Sequence, residues 1–418
     1  MTRICRITVA AAGLLVGRLV AVRRRLWWLG VPAAAMVLSA GLLATAPAAS
    51  ADPTYVAGVT LAQVGNDLLM AGQGSSGNVD VLYQPVGSST WSEVTATAPD
   101  TTNPYYPGLA ITALTERVGL RQITLIGMAD VGPDYSLNFW WQPLADIGSG
   151  PWHQEVLSGP ETTFTAPSIV QIGNDVAVAA QGDEPTNGGS RLDFYWQQIG
   201  ATGWNSFLGQ EQGLVGSAPS MAVLASPSDT LGITFTNEDG EVYYVQQAPA
   251  KFGTGWEGPY TVANGVYNGA APAPIVALDN NLTAITTPGN NNGLYQWMTP
   301  DPPSFVNTTD GAFPGTVDDG ISTAQLGNGV VAATTQSSNA TLEFYWRLPD
   351  GPWHLENLGS ADAFNGPPPP VVALTNSAGT QLVATAVENA DGSVDFYWQT
   401  IGSSSWATIY LPQGTFGA

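Results

Sequence analysis

Leu192-Asp193-Phe194-Tyr195-Trp196-Gln197, followed seven residues later by Trp204, decides the fold because the phrase is repeated along the chain. It returns as Val394-Asp395-Phe396-Tyr397-Trp398-Gln399 with Trp406, and as Leu342-Glu343-Phe344-Tyr345-Trp346-Arg347 with Trp353. A further full copy is Leu137-Asn138-Phe139-Trp140-Trp141-Gln142 with Trp152. Weaker copies are Val79-Asp80-Val81-Leu82-Tyr83-Gln84 with Trp91, Tyr243-Tyr244-Val245-Gln246 with Trp256, and Leu294-Tyr295-Gln296-Trp297-Met298, which lacks the second Trp. All the tryptophans beyond residue 51 fall inside this pattern.

Two short runs of strand character precede each phrase, such as Pro167–Gly173 then Val176–Ala180, with Asn-Asp, Asn-Asn, Gly-Asn or Asp-Gly pairs between runs. Those pairs are what tight β-turns require. Each unit therefore reads as four strands: a small-residue strand, a second strand, the aromatic strand, and a strand beginning at the second Trp. The units start near Tyr55, Pro107, Phe164, Pro219, Gly269, Gly320 and Pro367, a period of about 52 residues. Seven such units predict an all-β protein, a seven-bladed β-propeller of four-stranded blades spanning residues 52–418. A β-helix needs a shorter period and tandem sandwiches about twice the length per copy.

Ahead of the repeats, Arg23-Arg24-Arg25, an apolar run from Leu26 to about Ala46, and Ala49-Ser50-Ala51 follow the order of an export signal. Residues 1–51 are expected to be a signal peptide cleaved after Ala51, leaving a secreted protein with no membrane attachment. The whole chain has a formal charge of −22. Beyond residue 51 all 33 acidic residues face five basic ones, Arg117, Arg121, Arg191, Lys251 and Arg347, a net of about −28. That balance excludes nucleic acid, which attracts clustered Lys and Arg. The single Cys5 falls in the leader, and the two histidines, His153 and His354, sit in Pro151-Trp152-His153-Gln154-Glu155 and Pro352-Trp353-His354-Leu355-Glu356. These occupy equivalent places on non-adjacent units, so they read as surface or inter-strand packing, and no metal or cofactor is expected.

Side chains alternate across a strand, so Leu192, Phe194 and Trp196 share one face and Asp193, Tyr195 and Gln197 the other. The first face reads as core. The second sets hydrogen-bonding groups beside an aromatic plate, the pair of features that a sugar's hydroxyl ring and C–H face use. Inter-blade hydrogen bonding is the plainer use of the same groups. The candidate carbohydrate-binding residues are Trp140, Gln142, Asp193, Tyr195, Gln197, Tyr345, Arg347, Asp395, Tyr397 and Gln399, with sites expected in units two, three, six and seven and lost in four and five.

The unit as a whole, with its P-x-I/V first strand, aromatic third strand and W…LG ending (Trp204 to Leu208-Gly209, Trp353 to Leu358-Gly359), resembles the repeat of the PLL-type bacterial propeller lectins. The resemblance implies a seven-bladed propeller that binds fucose or O-methylated sugars between blades. That family's third strand has an L-W/Y-H-x-W-W character. Leu192 and Trp196 match it, whereas Asp193, Phe194 and Gln197 stand where the family has an aromatic, a His and an aromatic. The expected partners are glycans or glycoconjugates, with surface proteins as a second class. A propeller glycosidase or lyase, the enzymatic alternative, brings carboxylates to the axial mouth. The inner runs contain no Asp or Glu, and no sialidase box, G-x-S-x-G or phosphate loop occurs, so no catalytic residue is assigned.

Overall fold

The computed structural model describes residues 58–412 and 415–416, apart from 74–77, 98–107, 185–188, 210–214, 225–229, 248–254, 265–271, 280, 290–292, 301, 309–319, 338–340, 349–350, 361–367 and 390. The expected signal peptide and the unit starts at Tyr55, Pro107, Gly269 and Pro367 lie outside the described residues. Seven antiparallel four-stranded sheets form the seven blades of a β-propeller, each built from four consecutive strands in sequence order. The innermost strands are Val59–Val64, Leu109–Val118, Ser168–Ile172, Ser220–Leu224, Ile275–Ala277, Ser322–Gln325 and Val371–Thr375.

Burial runs outward across each blade. The second strands are enclosed on both faces, and blade 3 fills its own with small residues: Ala177, Val178, Ala179 and Ala180 have no exposed surface. Adjacent blades stack face to face, and a bulky side chain at these positions has nowhere to go. The fourth strands form the rim. In blades 2 and 3, His153–Val156 and Asn205–Leu208 each expose three of their four residues. Fourth strands begin at the second Trp in blades 4 and 6 (Trp256–Ala263, Trp353–Ser360), but one residue after it in blades 1, 2, 3 and 7.

A single packing rule joins the blades. The Leu/Phe/Trp face of one blade meets the Asp/Tyr/Gln face of the next, together with that next blade's fourth-strand Trp. Phe139 stands edge-on to Trp204 at 5.1 Å, Phe194 to Trp256 at 4.9 Å, and Phe344 to Trp406 at 4.9 Å. Such T-shaped pairs satisfy the ring quadrupoles while filling the interface. Phe396 of blade 7 meets Trp91 of blade 1 at 5.2 Å in the same way, so the ring closes by the rule that built it. Gln63 reinforces the closure, accepting from the Thr375 backbone N–H and donating to its carbonyl, both at 2.7 Å. The blade 7–blade 1 core also takes in Phe416, whose ring covers Gly72.

Two details differ from the sequence reading. In blade 4, Gln247 lies opposite Trp256 as Arg347 lies opposite Trp353, so Tyr244 holds the place of Phe194 and the repeat is one residue later than the phrase Tyr243–Gln246 suggests. Blade 5 lacks the second Trp, and its fourth strand shrinks to Val306–Asn307. Phe305 takes the missing ring's place, edge-on to Tyr244 at 5.1 Å.

Candidate functional site

The packing rule gives each inter-blade cleft two walls: the third-strand Trp face of one blade, and the Gln position and fourth-strand Trp of the next. Three clefts are then filled by an apolar residue of the first blade's rim strand. Val94, Phe207 and Ile409 do this between blades 1 and 2, 3 and 4, and 7 and 1. Beside them the indole N–H groups of Trp152, Trp256 and Trp91 are buried with no acceptor among the described residues.

Blades 2 and 6 place a carboxylate there instead. Between blades 2 and 3, Glu155 accepts from Trp204 Nε1 at 2.9 Å and from Gln197 Nε2 at 3.5 Å. His153 lies flat on Trp141, with ring centroids 4.2 Å apart. Between blades 6 and 7 the same cluster recurs. Glu356 accepts from Trp346 Nε1 at 2.9 Å and from Trp406 Nε1 at 2.7 Å, and His354 stacks on Trp346 at 4.1 Å. Gln399, with its amide turned to satisfy its neighbours, accepts from Trp406 Nε1 at 3.3 Å and donates to the Ser403 carbonyl at 3.1 Å. Alternation puts the His and the Glu, two residues apart on the rim strand, on one face. Both histidines are exposed, and Trp141, Trp346, Glu155 and Glu356 are half-buried. Each cluster thus offers a stacked aromatic plate, a carboxylate acceptor and a Gln amide at a solvent-facing cleft, which suits a polyhydroxylated ligand with an apolar face.

The ten residues expected from sequence fall into distinct environments. Gln197 and Gln399 belong to the two clusters. Gln142 is fully buried and clamps the turn that follows it, donating to the Asp146 carbonyl at 3.1 Å and to that of Gly150 at 2.7 Å. Asp193 is buried in an ion pair with Arg191 at 2.6 Å; burial still raises its carboxyl above the usual range, with Arg191 acting the other way. Tyr195 packs into the core between blades 2 and 3, its phenol pushed up to about 12 by burial and by Asp193. Tyr345 is fully enclosed and donates to Glu343 Oε2 at 2.5 Å, and burial raises its phenol strongly. Arg347 bridges blades 5 and 6, donating to Gln296 Oε1 at 3.1 Å and Thr308 Oγ1 at 3.4 Å, with Trp353 beneath it. Trp140 is half-buried and donates to Asp130 at 2.9 Å. Tyr397 is buried in the core between blades 6 and 7, and Asp395 accepts from Asn389 at 3.3 Å.

The aromatic plate of the two clefts is therefore not the buried Tyr of the hydrogen-bonding face. It is Trp141 or Trp346 from the opposite face of the preceding blade. The sequence signal for the clusters was the Trp-His-x-Glu spacing at residues 152–155 and 353–356, which reads as packing until the neighbouring blade supplies the second wall.

On the axis, all seven blades line a cavity of about 730 Å³. Its walls are aliphatic side chains, prolines and hydroxyls such as Thr60, Ser168, Ser220 and Ser322, and no carboxylate is among the lining residues described. Among the described residues no group of three or more His, Cys, Asp or Glu side chains could hold a metal ion.

No protein-family model matches the chain, and no curated protein matches it. Solved structures do. The BP39L lectin from Burkholderia pseudomallei is 15% identical over 86% of this chain and 100% of its own length, with a TM-score of 0.67. AofleA from Arthrobotrys oligospora is 14% identical, covering 85% and 87%, with a TM-score of 0.51. A prolyl endopeptidase is 9% identical over 86% of this chain but only 50% of its own length, with a TM-score of 0.52. At these identities the likeness is one of fold: this chain shares the propeller architecture of a bacterial lectin along that lectin's entire length.

Proposed function

We propose that this protein is an exported carbohydrate-binding propeller, a lectin without catalytic activity, taking glycans in the clefts between blades 2 and 3 and between blades 6 and 7. The observation that carries the reading is the recurrence of one cluster at two separate clefts. Trp141/His153/Glu155/Gln197/Trp204 and Trp346/His354/Glu356/Gln399/Trp406 share residue types, stacking and carboxylate hydrogen bonds. A single sugar site of this kind binds weakly; two on one ring engage a glycan-bearing surface with avidity. The whole-length fold likeness to a bacterial lectin agrees with this. Export follows from the N-terminal signal, with Ala51 as the last residue removed, and mass spectrometry of the medium fraction tests it.

The test of binding is a glycan array followed by titration calorimetry on the sugars that bind. Glu155→Gln and Glu356→Gln each keep a hydrogen-bond acceptor but remove the charge. Each single variant is expected to halve the stoichiometry, and the double variant to lower affinity at least tenfold. Unchanged binding by the double variant would remove the clefts from the mechanism. The absence of any binding sugar would remove the lectin reading itself.

A further inference from the structure

Among the described residues, blade 2 carries a feature that no other blade shares. In blade 1 the inner hairpin ends at the pair Val64–Asp67, with Asp67 opposite Pro85 of the third strand. In blade 2 the equivalent residue opposite Pro143 is Leu125, and the ribbon continues for four more pairs: Thr115–Thr124, Glu116–Ile123, Arg117–Gln122 and Val118–Arg121. At the rise of an extended strand the extension projects about 13 Å. Its base is braced by blade 3. Gln171 accepts from the Thr115 N–H at 2.7 Å and donates to its carbonyl at 3.2 Å, and the Glu116 carboxylate lies over Gly200.

The tip is chemically unlike the rest of the chain. Leu120 is fully exposed (106%) and Val118 is 51% exposed, flanking the turn at Gly119. Arg117 and Arg121 are exposed on either side of them. Of the other described permanent cations, Arg191 is paired with Asp193 and Arg347 is buried between blades. A strongly acidic protein thus presents its exposed positive charge, among the described residues, at one apolar fingertip.

We infer that this ribbon is a membrane-touching finger, in which Leu120 and Val118 enter the headgroup region of an anionic lipid bilayer while Arg117 and Arg121 meet its phosphates. A convex tip ending in one wholly exposed Leu fits a deformable apolar phase, which needs no shaped recess. Charge complementarity favours anionic lipid, since basic residues near such a surface each strengthen binding. The acidic body does not cancel this. Arg117 and Arg121 lie beyond the braced base, at the exposed end of the ribbon, so they are the charges nearest the surface while the body's charge lies farther off and is weakened by salt. Among the described residues no helix is long and apolar enough to cross a membrane. This proposal departs from the expectation of a protein with no membrane attachment. The antiparallel order places the finger on the face where the third strands end and the fourth strands begin, which is also the face of Gln197, Trp204, Gln399 and Trp406. The inference stands independently of sugar binding.

The experiment is co-sedimentation of the protein with sugar-free vesicles of phosphatidylglycerol and phosphatidylcholine, against phosphatidylcholine alone, at low and high salt. Binding to the anionic vesicles, released by salt, is expected. Arg117→Gln with Arg121→Gln is expected to weaken partitioning about thirtyfold, and Val118→Ser with Leu120→Ser at least tenfold. Leu120→Trp, in a third variant, reports a blue shift of its emission on anionic vesicles. Failure of the wild type to sediment, unchanged sedimentation of the first two variants, or no blue shift overturns the inference. So does a change in self-association of the finger variants by analytical ultracentrifugation without vesicles, which would name a second copy as the occupant.

Discussion

Replacing Glu388 by Gln is expected to stabilise the propeller at neutral and alkaline pH while leaving it little changed in acid. Glu388 ends the second strand of blade 7, opposite Val394, with 4% of its surface exposed and Oε2 lacking a partner among the described residues. Burial alone raises its carboxyl from 4.5 to about 8, because the charged form has lost its water. The folded state therefore holds a proton that the unfolded state releases between those two values. Where the folded state binds more protons, stability falls as pH rises. The benefit of the protonated acid is complete below pH 4.5 and is lost progressively up to about pH 8. At 1.36 kcal/mol per pH unit, the loss across this window is about 4 to 5 kcal/mol. Glutamine is uncharged throughout, so the variant should lack this component of the slope. Urea unfolding of both proteins at pH 5, 6.5 and 8.5 measures it, and the difference between them cancels the parallel contribution of Asp130, raised by burial to about 6. A stability difference that stays constant within about 0.5 kcal/mol over that range would show that Glu388 does not titrate as its burial requires.

Other outcomes follow from the packing rule. Phe344→Ala removes a ring held 4.9 Å from Trp406 at 1% exposure and should cost about 3 to 5 kcal/mol in denaturant unfolding. Gly182→Ala would place a Cβ 2.1 Å from the Asp193 carboxylate, which Arg191 holds in place, so a loss of about 1 to 3 kcal/mol is expected, recovered in part by removing the ion pair with Asp193→Asn. Gly119→Ala meets no atom, and its cost should be only the left-handed backbone penalty of about 1 kcal/mol at φ 65°, measured the same way. Trp406→Phe keeps the ring against Phe344 but deletes the donor to Glu356. It should lower sugar affinity at the cleft between blades 6 and 7 and leave the cleft between blades 2 and 3 unchanged, which calorimetric stoichiometry resolves.

The number of blades, the four strands in each and the division of the aromatic strand into two unlike faces were legible from residues 192–197 and their copies. They rest on local chemistry: strand alternation and turn residues. Blade 5 shows the limit of that reading. No local rule announces that Phe305 will stand in for an absent Trp, because the substitution is defined by its contact with Tyr244 of blade 4. The finger tip is likewise visible as Arg117-Val118-Gly119-Leu120-Arg121, but its protrusion depends on where the neighbouring third strand stops, at Pro143.

The candidate clefts belong wholly to the tertiary structure. The repeat places Trp141 and Glu155 in the same blade, and Gln197 and Trp204 in the next. Only the ring decided that the Trp face of one blade meets the Gln face of the following one, bringing side chains about fifty positions apart into a single pocket. A strand's alternation sets two faces without saying what each will touch. That is settled by how seven twisted sheets close around one axis, where each blade completes its neighbour's site.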